Sequence, residues 1–499
     1  LKEKSIKMSN VGFISRLYHS IQENRTRNAF CINNEYYTYA QLNELVSKIL
    51  PLINADSPTR DTVGIVVANS IYTYATILAC WFSGKAYVPI NRYLPLERNN
   101  TILKNAEAAL LINCTGDVVE GYETLRAIDV DAINVSVAGS LNLTQNIDEQ
   151  TLLYILFTSG STGVPKGVPI CYENLDAFIT SFDALGFEIK AADKFLQMFE
   201  FTFDVSIASF VVPLVYGACT YTVSSEGIKY INVLKILRDK QISFACLVPS
   251  IITYLKPYFD RIELPAVKYC ILTAEASNVA DIQKWKPCVP NAEIYNLYGP
   301  TEATIWCTVY KFDPSAPKSY NEMMAIGKPL LQVKAIIIDE NSTVVTGSVK
   351  GQLCVAGKQV TAGYLNNAEK NAESFINVNG ELYYKTGDLC YWDEEGDLYY
   401  CGRMDYQVKV NGHRIELGEI EAAVRKLYAI NNVATLYKDK DGIDKICLFL
   451  ENCEDVDALS DTLKKVLPYY MLPHLVKNME SFPINNSNKV DRVALKELV

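Results

Sequence analysis

"FTSGSTGVPKG", residues 157–167, follows an apolar run at 152–157 and packs three glycines, two serines, two threonines and a lysine into eleven positions. Glycine-rich loops hold phosphate because backbone N–H groups converge on oxygens where no Cβ obstructs them, while hydroxyls and a lysine add donors and charge. The spacing excludes three familiar versions of such a loop. A Walker A loop needs G-x-x-x-x-G-K-[ST], but Pro165 stands five positions after Gly160, and Lys166 is followed by Gly167 instead of a hydroxyl residue. A G-x-S-x-G nucleophile elbow fails because Ser159 lies two before Ser161. The dinucleotide G-x-G-x-x-G is absent. A Gly/Ser/Pro segment after a strand also serves as an ordinary turn, so its meaning depends on the rest of the chain.

Working outward, 499 residues exceed the size at which one core keeps growing, which predicts two or more domains. Up to about residue 320, β-branched runs alternate with helical stretches, as in "TVGIVVAN" before "SIYTYATILACWF" and "ISFACLVP" before "SIITYLKPYF". That rhythm predicts α/β layers with parallel strands, with Ser70 and Ser250 as helix N-caps. From Ala325 to about Tyr400, short strands such as "KAIIIDE" and "GQLCVAG" are punctuated by glycine, which predicts a β-rich subdomain. After "GRMD" a hairpin-like pair leads into a helix with Ile420, Val424 and Leu427 on one face, then a strand "KICLFL" and a helix "ALSDTLKKVLP". The expected division is a large N-terminal unit, 1–404, and a small mobile α+β unit, 405–499, with a boundary near Asp405.

Composition narrows the function classes. With 49% hydrophobic and 21% charged residues the chain reads as folded, and a net charge of -10 argues against a nucleic-acid footprint. Fourteen scattered cysteines without C-x-x-C spacing, and only His19, His413 and His474 to assist a metal, read as buried reduced thiols of a cytoplasmic protein. The N-terminus lacks the apolar core of a secretory signal, and Met8 reads as a start preceded by extra residues. The most apolar window is interrupted by Asn69 and Ser70, so a strand, a cap and a buried helix explain it better than a membrane span.

Ten stretches, in order, then give the loop its company: "YTYAQL" from Tyr37, "GKAYVPI" from Gly84, the loop itself, "FDVS" from Phe203, "NLYGPTEAT" from Asn296 and "GQLCVAG" from Gly351, followed by "YKTGDL" from Tyr384, "GRMDYQVKVNGHRIELGEIE" from Gly402, "LPYYMLP" from Leu467 and "NSNKVDR" from residue 486 onward. This series resembles the adenylate-forming superfamily, which includes acyl- and aryl-CoA synthetases, luciferases and amino-acid adenylation domains. Within it the chain is most similar to stand-alone adenylation domains such as D-alanine:carrier-protein ligases. The chain ends ten residues after Lys489, which fits a stand-alone ligase, although a domain excised from a longer synthetase would look the same.

The resemblance implies ATP and Mg²⁺ as cofactors, and an amino acid and a phosphopantetheinylated carrier protein as partners, in a monomer. Thr158, Ser159, Gly160, Ser161, Thr162, Gly163 and Lys166 would hold the β- and γ-phosphates. Asn296 and Tyr298 would take adenine, Thr301 a phosphate, Glu302 the Mg²⁺, Asp388 the ribose, and Arg403 the ribose or phosphate. Lys489 would bridge the substrate carboxylate, the ribose oxygen and the α-phosphate. Asn488 stands where the family has glycine, and asparagine tolerates a left-handed backbone better than most residues. Asp405 matches the hinge between adenylating and thioester-forming states, and Gly412 a thiol tunnel.

Asp204 would face the substrate's α-ammonium, inside a pocket that also includes Val205, Ala208, Leu247, Ile271, Thr273, Leu297, Ile305 and Trp306. No second charge accompanies Asp204, which implies a small or medium apolar amino acid. An acyl- or aryl-CoA ligase using the same chemistry, and a catalytically silent nucleotide-binding module, are the alternatives.

Overall fold

A computed structural model describes residues 12–56, 62–122, 126–135, 147–159, 164–428, 430–484 and 490–499. The parallel α/β layers expected from the sequence are present as two sheets. In the six-stranded sheet, Arg126–Asp129, Leu110–Asn113, Thr62–Val66, Ala86–Ile90 and Leu152–Thr158 run parallel, and Lys166–Cys171 closes the edge antiparallel to Leu152–Thr158. The parallel strands of the nine-stranded sheet include Lys194–Gln197, Phe244–Leu247, Tyr269–Leu272 and Glu293–Tyr298. Strands buried on both faces need continuous apolar runs, which is what Thr62–Val66 and Phe244–Leu247 supply.

Helix Ile71–Phe82 shows how the apolar window folds. The Ser70 side chain accepts the N–H of Tyr72 and starts the helix. Every helical residue except Tyr72 is buried, and the Trp81 indole donates to the Leu153 carbonyl at 2.9 Å. Among the described residues no helix is long and apolar enough to cross a membrane.

Ser250 is not a cap. Val248 precedes helix Pro249–Leu255, whose first position proline fills with its preset φ, and the Ser250 N–H goes to Glu275 at 2.8 Å. All fourteen cysteines are free, and all but Cys401 are buried.

The β-rich stretch is a sheet built from Lys334–Ile338, Val344–Val345, Gly351–Ala356, Phe375–Val378, Glu381–Trp392 and Leu398–Arg403. Beyond it, Gln407–Val410 pairs with His413–Glu416 across the two-residue turn Asn411–Gly412. Both turn residues have positive φ, 51° and 82°, as such tight hairpins require. Helix Leu417–Tyr428 buries Leu417, Ile420 and Val424, whereas Leu427 is on the surface, so the apolar face runs one turn earlier than its spacing suggested. The three-stranded sheet Asn432–Lys438, Asp444–Glu451 and Leu475–Met479 backs this helix.

Candidate active site

Thr158, Thr273 and Tyr298 lie at or just past the carboxyl ends of strands from the two parallel sheets, where open α/β sheets gather ligands. They line a cavity of about 100 Å³ together with Asp204, Asp388 and Arg403. A wider cleft of about 800 Å³ adjoins it, lined by Asn296, Lys409, Asn411 and Arg492 among others.

The glycine-rich stretch connects two strands of one hairpin, with Thr158 opposite Lys166. No helix follows it directly, so a Walker A spacing has no place here, and the lysine is carried on the return strand. Gly160, Ser161, Thr162 and Gly163 lie outside the described residues, as does Lys489. Of the flanking residues, the buried Thr158 hydroxyl finds no hydrogen-bond partner among the described residues, and the Ser159 hydroxyl donates to the Arg414 carbonyl at 3.1 Å. Lys166 is buried, 5.3 Å from the centre of the Tyr364 ring and 3.8 Å from Glu416. Burial and the nearby Arg414 charge lower its pKa, against the pull of Glu302 and Glu416.

Glu302 sits in the short turn Thr301–Ala303 and is wholly buried. Tyr364 donates its hydroxyl to Oε1 at 2.7 Å and Arg414 its Nη1 to Oε2 at 2.9 Å. Burial alone would raise this carboxyl, but Arg414 and Tyr364 outweigh it and bring the pKa down to about 2.

Asp388 is held by two donors. The Tyr298 hydroxyl donates to its Oδ2 and Arg403 Nη1 to its Oδ1 at 2.9 Å. Gly387 makes the approach possible: its φ is 76°, and a Cβ there would lie 2.6 Å from the Arg403 guanidinium. Arg403 also grips Asp405, with Nε donating at 2.8 Å and Nη2 at 2.5 Å. Asn296 donates to the Ala325 carbonyl at 2.9 Å.

Asp204, only 6% exposed, has no cationic partner among the described residues. Its Oδ2 accepts the Ile305 N–H at 3.2 Å, and burial, with the Glu302 charge assisting, raises its pKa to about 6. The donor is aimed by an unusual backbone: Thr304 and Ile305, both β-branched, have φ of 55° and 73°. Trp306 follows, its indole donating to the Thr273 hydroxyl at 2.8 Å and its ring 5.8 Å from that of Phe178. Gly299 lies beneath this turn, where a Cβ would come 2.3 Å from the Ile305 carbonyl oxygen.

Val205, Ala208, Ile271, Leu297, Ile305 and Trp306 all belong to the large hydrophobic core, and of the expected pocket residues Val205 and Thr273 line the cavity beside Asp204. Leu247 lies outside that core; it packs in a second cluster with Leu196, Leu272 and others.

The sequence reading missed Arg414, Glu416 and Tyr364 as partners of the nucleotide-side charges. It also missed Glu275, which accepts the Gly412 N–H at 2.6 Å. Arg414 and Glu416 were in plain view within "NGHRIE", but nothing local to that stretch points to a carboxylate over a hundred residues earlier.

Comparison with known proteins adds a second line. The sequence pattern of the AMP-binding enzyme family matches residues 17–365. Bacitracin synthase 1 of Bacillus licheniformis is 30% identical over 468 residues, which are 92% of this chain and 9% of that protein. The chain thus spans about a tenth of that relative's length. The Vibrio cholerae adenylation domain AlmE, solved with glycyl-adenosine-5'-phosphate, shares the fold with a TM-score of 0.87 at 23% identity, covering 97% of both chains. An NRPS protein containing adenylation and PCP domains gives a TM-score of 0.84 at 22% identity, covering 97% of this chain and 84% of that one.

Proposed function

The chain belongs to the AMP-binding enzyme family and is an ATP-using, adenylate-forming ligase, and from that premise we propose that it activates a small or medium apolar amino acid and transfers it to a carrier-protein thiol. In the first step a substrate carboxylate oxygen attacks the α-phosphorus of ATP, the bond to the β-phosphate oxygen breaks, and pyrophosphate leaves. In the second, a phosphopantetheine thiolate attacks the carbonyl carbon and AMP leaves. Both steps depend on positioning and charge neutralisation.

The observation that carries the amino-acid reading is Asp204, a buried carboxylate with no cation against it among the described residues. An α-ammonium supplies the missing charge, and an acid without an amine leaves it uncompensated. The apolar residues beside Asp204 and the pinned Trp306 favour a small or medium apolar amino acid, of either hand. The glycyl adenylate in the Vibrio cholerae domain points the same way.

In this reading Thr158 through Lys166 receive the β- and γ-phosphates, Thr301 a phosphate, Asn296 and Tyr298 the adenine, and Asp388 with Arg403 the ribose. The Thr158 hydroxyl, without a hydrogen-bond partner among the described residues, and the buried Lys166, whose ammonium an anion would stabilise, suit an anion-binding role. Glu302, a hard oxygen donor held ionised, fits Mg²⁺, which would neutralise phosphate charge. Lys489 stabilises the charge that builds at the α-phosphate. Asp405 is the hinge that moves residues 405–499 between the two steps. In this reading the contacts of 411–416 with Glu275, Ser159 and Glu302 belong to the thioester-forming arrangement, with Gly412 lining the path of the thiol.

Amino-acid-dependent pyrophosphate exchange across the twenty L-amino acids and D-alanine tests the proposal. Exchange with a small or medium apolar amino acid supports it; no exchange with any amino acid sinks it. CoA consumption with a non-amino acid, indifferent to Asp204→Ala, would establish the CoA-ligase alternative instead.

A further inference from the structure

Arg414 and Glu416 lie two apart on strand His413–Glu416, so their side chains leave one face of the hairpin. Across the cleft, Arg414 meets Glu302 at 2.9 Å and Glu416 lies 3.8 Å from Lys166. Gln407, on the paired strand, ties the two together: its carbonyl oxygen accepts Arg414 Nε at 2.9 Å, and its amide donates to Glu416. A single strand face thus sets a cation on one buried carboxylate and an anion beside one buried ammonium.

Those two partners are the residues assigned above to the metal and to the departing phosphates, and the inference rests on that assignment. We infer that Arg414 and Glu416 form an internal stand-in for magnesium pyrophosphate, placing a positive charge on Glu302 and a negative one beside Lys166 after the product has gone. The physical need is clear: a wholly buried carboxylate left unpaired is costly, and so is a buried ammonium. Both oxygens of Glu302 are already engaged, by Tyr364 and Arg414. A guanidinium and a divalent cation repel each other and compete for one carboxylate, so the docked hairpin and magnesium pyrophosphate exclude one another.

Thermodynamic linkage makes the exclusion reciprocal: what the hairpin contributes to docking is subtracted from product affinity. The device orders the two steps, because the hairpin closes only once both charges have been vacated. Arg414 and Glu416 are therefore positioning residues, acting through Glu302 and Lys166.

Calorimetric titration of magnesium pyrophosphate into the full chain tests this, comparing the parent with Arg414→Gln, Glu416→Gln and the double variant. Removing the internal competitor tightens binding, by about 5- to 150-fold for a typical coupling. Arg414→Lys, which keeps the cation, stays near the parent. Hydrogen exchange of the amides in 407–416 rises in the parent when magnesium pyrophosphate is added. A residue needed only for folding would weaken binding on removal, so unchanged or weaker binding in the variants overturns the inference. Parent binding with unresponsive variants sinks this inference alone. Failure of parent and variants alike to bind sinks the functional reading with it.

Discussion

Glu302 and Asp204 are both carboxylates shut off from water, at 0% and 6% exposure, yet they rest in opposite electrostatic settings. Glu302 has a guanidinium and a phenol against it and is held at about 2, whereas Asp204 has a backbone N–H and is pushed up to about 6. Burial is common to both, so the partner decides. Glu302 rests with a substitute cation in place. Among the described residues Asp204 rests without one, and it loses its charge as the pH falls through about 6.

Glu302→Gln breaks the comparison most severely. It keeps the shape but removes the charge that both the metal and Arg414 require, and a metal's charge stabilisation is worth several kcal/mol. Pyrophosphate exchange should fall by about 1,000-fold. Asp204→Ala comes next: the loss of a buried charge-assisted contact lowers kcat/KM for the amino acid by about 100-fold. ATP affinity, read by equilibrium binding, stays within about twofold of the parent. Equal losses in both measurements would mean that Asp204 serves the whole site and not the amine.

A pH profile separates the two carboxylates without altering the fold. Asp204, with its pKa raised to about 6, picks up a proton as the pH falls through that value and loses its hold on an ammonium. Glu302, lowered to about 2, stays ionised throughout that range. The acid limb of kcat/KM therefore belongs to Asp204, with about a tenfold loss per pH unit below it. It should flatten in Asp204→Asn. The smallest effect is expected from Trp306→Phe, which gives up the hydrogen bond to Thr273 and opens a little space. Urea unfolding should show a loss of about 1 kcal/mol. Tolerance of larger amino acids should increase by a few-fold, in line with one or two methylenes of room.

The comparison also shows what was legible in advance. Asp204 was singled out because "FDVS" resembles the stretch in which amino-acid-activating members of the family place an aspartate; its apolar neighbours alone do not mark it. The setting of Glu302 could not be. Its partners Tyr364 and Arg414 stand 62 and 112 residues downstream, and periodicity within any window says nothing about pairs so far apart. The alternating strands and helices were readable because each signal is local. Ser250 misled for the same reason: a serine before an apolar run resembles a cap, but the proline at 249 had already taken the first helical position. Leu427 fits the helical period but falls in the last turn, where it is exposed among the described residues.

Thr304 and Ile305 carry one more consequence. Left-handed φ at a β-branched residue costs on the order of 1–3 kcal/mol, and two occur in succession. Glycine at 305 would release much of that strain but would also empty a buried side-chain position, a loss of about 2–5 kcal/mol, so packing holds the strained residue in place. The same change would loosen the amide that steadies Asp204. Strain, core packing and the setting of Asp204 therefore meet at a single residue, where relieving the first would sacrifice the other two.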